Sequence, residues 1–260
     1  MATTPPAGEK IALITGASSG IGRHAAIRLA ERGARVIATY SENPDGALDT
    51  IAAIESAGGQ AMALQLDVGR SETFDAFIAE IAREIVARWR RTTIDYLVNN
   101  AGFGQMAMFE ETSEKLFEAF YRVTLKGSFF LTQRLLPHFA DGGAIVNVTS
   151  SSVLPNRVDA GYSAYATMKG GLAVLTGYMA KELSPRGIRV NAVAPGPTRT
   201  RLGDDAFERF PDVIPPLVER TALGRLGEPD DVGKVIAALL SDDWAWVTGE
   251  QIEVSGGFEL

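Results

Sequence analysis

Seven short apolar runs recur along the chain from residue 11 to its end. They are IALIT (11–15), RVIATY (35–40), AMALQLDV (61–68), IDYLVNN (94–100), AIVNVT (144–149), IRVNAVA (188–194) and QIEVSG (251–256). Most are rich in β-branched residues and bounded by Gly, Asn, Asp or Pro. That is the pattern of strands buried on both faces rather than on one. Longer amphipathic segments separate them. GRHAAIRLAERG runs to a C-capping glycine at Gly33, and ALDTIAAIESAGG ends the same way. PDDVGKVIAALLSDD opens with Pro229 and two acids in its first turn, where they suit the helix dipole. Alternation of this kind predicts an α/β doubly wound Rossmann fold: a single parallel sheet of about seven strands flanked by helices on both faces.

No repeat or composition break divides residues 9–260, so one domain is expected there. The small, polar, Pro-containing residues 1–8 read as a disordered lead without the apolar core of a signal peptide. The Gly-, Pro- and charge-rich stretch 197–227 is the only long irregular candidate. It is expected to form a lid over the substrate, with Phe207, Phe210, Ile214 and Leu217 shaping the pocket.

Composition narrows the partners. A net charge of −7 over 260 residues argues against nucleic-acid and membrane-surface binding, both of which call for clustered Lys and Arg. The chain has no cysteine, which removes disulfides and thiolate chemistry and fits a cytoplasmic protein. No apolar run is long enough to span a bilayer.

Candidate chemistry begins at TGASSGIGR, directly after the first strand. Gly16, Gly20 and Gly22 permit a tight turn and close backbone approach. The following helix aims free N–H groups at a pyrophosphate, so Gly16, Ser18, Ser19, Gly20, Ile21 and Gly22 form the expected cradle. A dinucleotide reader usually carries an acid at the end of the second strand, where it binds the adenosine ribose. Here Tyr40 stands there, followed by Ser41, and Glu42 comes later. The missing acid leaves room for a 2′-phosphate on Tyr40, Ser41 and Asn43, with Arg23 as the nearest cation by sequence. NADP(H) is therefore favoured over NAD(H).

The second candidate is GYSAYATMKGG (161–171). Tyr165 precedes Lys169 by four positions, so on a helix the two share a face, whereas Tyr162 has Ala166 at that spacing. A phenol with a pKa near 10 is a sluggish acid–base, and a neighbouring ammonium lowers that pKa toward the working range.

Taken together, TGASSGIG (15–22), LDV (66–68), NNAG (99–102), a serine cluster, Tyr165 with Lys169, and PGPTRT (195–200) resemble the short-chain dehydrogenase/reductase family in order and spacing. The likeness covers residues 9–260 and points to the branch of about 250 residues, with 3-oxoacyl-carrier-protein reductases as similar carbonyl reductases. The resemblance implies Tyr165 as acid–base and Lys169 as its tuner and ribose ligand. It implies Asp67 and Val68 near the adenine, Asn99 at the adenosine ribose with Ala101 and Gly102 beside it, and Pro195, Gly196 and Thr198 on the nicotinamide side. It also implies a small carbonyl or alcohol substrate, a homotetramer and no metal.

Two alternatives stay open for the substrate-holding serine. The family's thirteen-residue separation from the tyrosine selects Ser152, which is preferred, while the strand pattern selects Ser150 with two extra loop residues. Thr124 occupies the position of a family asparagine that holds a water beside the lysine, and Met168 stands where a small residue is usual. An acyl-carrier-protein substrate would further predict a basic patch beside the mouth, which the sequence does not clearly carry. Rival functions are a dinucleotide sensor that has lost turnover, for which Thr124 is the support, and an NAD-dependent alcohol dehydrogenase of the same family.

Overall fold

In a computed structural model, which describes residues 10–155 and 157–260 and omits the side chains of residues 202, 204 and 206, seven strands form one parallel sheet in the order β3-β2-β1-β4-β5-β6-β7. The strands are β1 Ile11–Ile14, β2 Arg35–Tyr40, β3 Ala61–Gln65, β4 Ile94–Asn99, β5 Phe139–Val148, β6 Arg189–Pro195 and β7 Gln251–Val254. The expected lead at residues 1–8 lies outside the described residues. The helices are α1 Gly20–Glu31, α2 Pro44–Ser56, α3 Phe74–Trp89, α4 Glu114–Phe120, α5 Gly127–Leu135, α6 Ser163–Leu183, α7 Leu202–Arg209, α8 Ile214–Glu219 and α9 Pro229–Leu240.

Strand periodicity explains the two cores. Along β1, Ile11 and Leu13 face one way, among Phe74, Phe77 and Ile81 of α3, Leu131 and Leu135 of α5, and Ala180 of α6. Ala12 and Ile14 face the other way, among Leu29 of α1, Ile54 of α2 and Ile236 and Leu240 of α9. Since each fully buried Ile, Leu or Phe contributes roughly 1.5–3 kcal/mol, both faces must be apolar for the sheet to hold its place. That requirement is why the strands read as continuous rather than alternating apolar runs.

β5 begins earlier than its apolar run. Phe139 pairs with Ile94, and the ladder then shifts register before Tyr96 pairs with Ala144. The intervening Ala140–Gly143 is polar and glycine-containing, and a Cβ on Gly143 would stand 2.4 Å from the Asp95 carbonyl oxygen.

Helix α9 is fixed at both ends and along its flank. Glu228 and Asp231 form a reciprocal capping box at its N-terminus. The Arg189 guanidinium donates to the carbonyls of Leu239, Leu240 and Ser241 at its C-terminus, a cation at the negative end of the dipole. Arg28 of α1 grips Asp230 bidentately, at 2.6 Å for both bonds, and Lys234 adds a contact at 2.8 Å. These cations hold the Asp230 carboxyl well below the usual carboxylate range.

In a doubly wound sheet the loops at the carboxyl ends of the strands share one rim. Here the rim carries the turns after β1, β4, β5 and β6. Among the described residues no helix is long and apolar enough to cross a membrane.

Candidate active site

The glycine turn after β1 is held by its own backbone and by its neighbours. Gly16 adopts φ +65°, open to glycine at little cost, and a Cβ there would stand 2.9 Å from Ala101 Cα. A Cβ on Gly22 would stand 2.4 Å from the Gly16 carbonyl oxygen. Asn100 ties the turn together: its Nδ2 donates to the carbonyls of Thr15 and Gly16, and its backbone N–H donates to Thr15 Oγ1. Thr50 of α2 donates to the Ala17 carbonyl. Asn100, Thr15 and Thr50 are supports that sequence reasoning missed. Thr15 and Asn100 lie within the two glycine-containing motifs, whereas Thr50, in α2, carried no signal.

The turn fits a dinucleotide pyrophosphate. Ser19, the residue before α1, makes no side-chain cap, and no acid occupies the first helical turn. The leading N–H groups of a twelve-residue helix are therefore left for an external anion, with the helix dipole behind them. Gly20 lies near Thr200, whose Cγ2 is 3.5 Å from the place of a Gly20 Cβ. The turns after β1, β4 and β6 thus converge on one point of the rim. At the end of β2, Tyr40 is half-buried and Ser41 exposed. Asn43 is only partly available, because its Oδ1 caps α2 by accepting from the Gly46 N–H.

Three expected cofactor contacts change in detail. The Asn99 side chain is buried away from the rim, donating to Thr132 Oγ1 at 3.1 Å and Asn147 Oδ1 at 2.9 Å. It ties β4 to β5 and α5, so only its backbone remains for a ribose. Thr198 Oγ1 donates to the Gly196 carbonyl at 2.9 Å and shapes its own turn. Asp67 is exposed, with one oxygen accepting from Gly69 N–H at 2.8 Å and the other free for a ligand. Val68 is buried behind it.

Helix α6 brings Tyr165 and Lys169 to the rim, both buried. Lys169 Nζ donates to the Val148 carbonyl at 2.6 Å, lies 5.8 Å from the Tyr165 ring centre, and is 3.7 Å from the place of a Gly102 Cβ. The same burial acts on both groups in opposite senses. It pushes the Tyr165 phenol up to about 12 and pulls the Lys169 ammonium down to about 8. The expected lowering of Tyr165 by Lys169 does not show: burial dominates, and Ser150, beside the phenol, is the group that opposes it.

The two candidate serines differ in place. Ser150, extended at φ −162°, follows β5 and faces the phenol. Ser152 sits one step back on a short 3₁₀ turn and donates to Ser150 Oγ from both its N–H, at 3.2 Å, and its hydroxyl, at 2.9 Å. Of the two candidates, Ser150 stands beside the phenol and Ser152 behind it, bonded to Ser150. Ser151, the first residue of that turn, is buried.

Phe120 packs edge-on to Tyr165 at 5.9 Å and stacks on Phe103 at 4.5 Å, while Tyr162 meets Tyr165 edge-on at 6.3 Å. Met168 fills the same cluster. Thr124 lies in a single π-helical turn, Tyr121–Lys126, joining α4 to α5. It is buried, its carbonyl accepts from Ser128 Oγ, and among the described residues its hydroxyl has no partner. Among the described residues no cluster could hold a metal ion.

Comparison with known proteins agrees with this geometry. A family model described as Enoyl-(Acyl carrier protein) reductase matches residues 16–259. The chain is 37% identical over 255 residues to the 3-oxoacyl-[acyl-carrier-protein] reductase FabG of Thermotoga maritima, covering 96% of this chain and 98% of that one. The reductase LugOII, which catalyses keto-reduction at C1 in lugdunomycin biosynthesis, superposes with a TM-score of 0.91 at 36% identity, over 96% of this chain and 98% of that one. The angucycline C-6 ketoreductase LanV, solved with bound NADP, superposes at 0.90 with 35% identity, over 96% and 95%.

Proposed function

The chain belongs to the short-chain dehydrogenase/reductase family, whose members here are NAD(P)-dependent oxidoreductases of alcohols and carbonyls, and from that premise we propose that it is an NADPH-dependent ketoreductase of bulky aromatic ketones. The observation that carries this reading is the buried Tyr165 phenol flanked by Ser150 and Lys169 at the rim where the glycine turn opens.

Bound NADPH supplies the hydride to the carbonyl carbon. The chain's own residues manage the oxygen. Ser150 donates a hydrogen bond to the carbonyl oxygen and holds it beside the phenol. Tyr165, kept protonated at neutral pH by burial, donates the proton that completes the alcohol. The phenolate left behind is stabilised by the Lys169 ammonium below the ring. Lys169 in turn is oriented by the Val148 carbonyl and reaches the ribose hydroxyls.

Preference for NADPH rests on β2 ending in Tyr40 and Ser41 without an acid, and on the NADP held by the LanV structure. The aromatic cluster of Phe103, Phe120 and Tyr162 around Tyr165 supports a flat, apolar substrate over an acyl chain on an acidic carrier protein. The segment with α7 and α8 is the lid in this reading.

The test is a titration with NADPH and NADH, followed by a panel of polycyclic aromatic ketones, β-keto thioesters and simple ketones. We expect tighter NADPH binding and the highest kcat/KM on the polycyclic ketones. Tight NADPH binding without turnover on any compound would favour a sensor. Tighter NADH binding would overturn the cofactor assignment.

A further inference from the structure

Ser150 and Ser152 form a short hydroxyl chain whose direction follows from donor and acceptor counting. A carbonyl oxygen can only accept hydrogen bonds. For Ser150 to hold one, its single proton must point at that oxygen, leaving two lone pairs free. Both are met by one residue: the Ser152 N–H at 3.2 Å and the Ser152 hydroxyl at 2.9 Å. Among the described residues Ser150 Oγ is the partner of the Ser152 hydroxyl, so that proton is directed onto Ser150.

The opposite orientation, with Ser150 donating to Ser152 and accepting from Tyr165, would leave Ser150 without a proton for the substrate. It would also leave Tyr165 donating to Ser150 rather than to the ketone. A hydroxyl that accepts two hydrogen bonds is a stronger donor in its own right, because each bond polarises the next. The local chain makes the pair: Ser150 is extended and caps the 3₁₀ turn Ser151–Val153, which brings residue 152 back over residue 150, and Ser151 is buried.

Resting on the ketoreductase reading above, we propose that Ser152 is a positioning residue that fixes Ser150 as a permanent donor, so that both Ser150 and Tyr165 aim their protons at one carbonyl oxygen. Ser152 itself touches neither the phenol nor the reacting atoms and acts only through Ser150.

The test compares Ser152→Thr with Ser152→Val, side chains of nearly equal shape that differ in the hydroxyl. Thr is expected to keep kcat within about twofold, and Val to lower it roughly five- to tenfold, with the NADPH Kd unchanged in both. A merely structural role would treat the two alike. The second arm repeats Ser152→Val in a Ser150→Ala background, where no further loss is expected because the residue it acts through is gone. Equal kcat in the Thr and Val variants, or a full additional loss in the Ser150→Ala background, would overturn the proposal. Should Tyr165→Phe keep full turnover, the ketoreductase chemistry itself would fail. A dead Tyr165→Phe with an unaffected Ser152→Val would remove only the role of Ser152.

Discussion

At the scale of single residues, Lys169 carries a measurable consequence of its burial. Desolvation lowers its pKa from the usual lysine value to about 8, so the ammonium fraction falls as pH rises through that value. In the proposed reading the charged form is the stronger donor to ribose hydroxyls. NADPH affinity is therefore expected to be level well below pH 8 and to weaken above it, by at most roughly tenfold per pH unit. Fluorescence titration across pH 6 to 10 reads this directly, and Lys169→Met should bind more weakly with no such slope. A level profile in the native protein, or the same slope in the variant, would remove Lys169 from the ribose site. The Tyr165–Lys169 pair was legible in the sequence because helical spacing alone places the two on one face. The serine was not: thirteen residues of separation point to Ser152, strand register points to Ser150, and letters alone do not say which hydroxyl stands beside the phenol. The side chain of Asn99 was unreadable for a related reason. Alternation along β4 turns its side chain into the core, and a motif read as letters carries no face.

Helices and strands follow simpler rules, and most were readable. The β2 run matches its strand end to end, and α9 begins at Pro229 with its acids at the positive end of the dipole. The start of β5 escaped because Asp141, Gly142 and Gly143 interrupt the run; Phe139 joins the sheet by pairing with Ile94 of β4. The contact of α1 with α9 was equally hidden, since the two lie about 200 residues apart in sequence and meet through a glycine. A Cβ on Gly233 would stand 2.8 Å from the His24 carbonyl carbon and 2.9 Å from the Ala25 nitrogen. Those are backbone atoms and cannot rotate aside, so the helices would have to part along Leu29 and Ile236. Gly233→Ala gains roughly 1 kcal/mol in helix propensity. Overpacking against backbone costs about 1–3 kcal/mol and should win. We expect a lowered urea midpoint with an unchanged slope; a raised midpoint would show that the helices have room to spare.

Over the whole molecule, function depends on the crossover that seats β4 beside β1. It joins the glycine turn to the 99–102 turn through Asn100 and sets α6, with Tyr165 and Lys169, at the same rim. Doubly wound architecture was readable from the alternation of runs, but the strand order came only with the structure. The central claim is that Tyr165 supplies the proton for carbonyl reduction beside a bound nicotinamide cofactor. Its most direct test is stopped-flow oxidation of NADPH by a polycyclic aromatic ketone, in native protein and in Tyr165→Phe at pH 7. The account predicts an NADPH Kd unchanged within about threefold and a single-turnover rate lowered by at least roughly 100-fold, the scale of a lost general acid. An undiminished rate in Tyr165→Phe would contradict it.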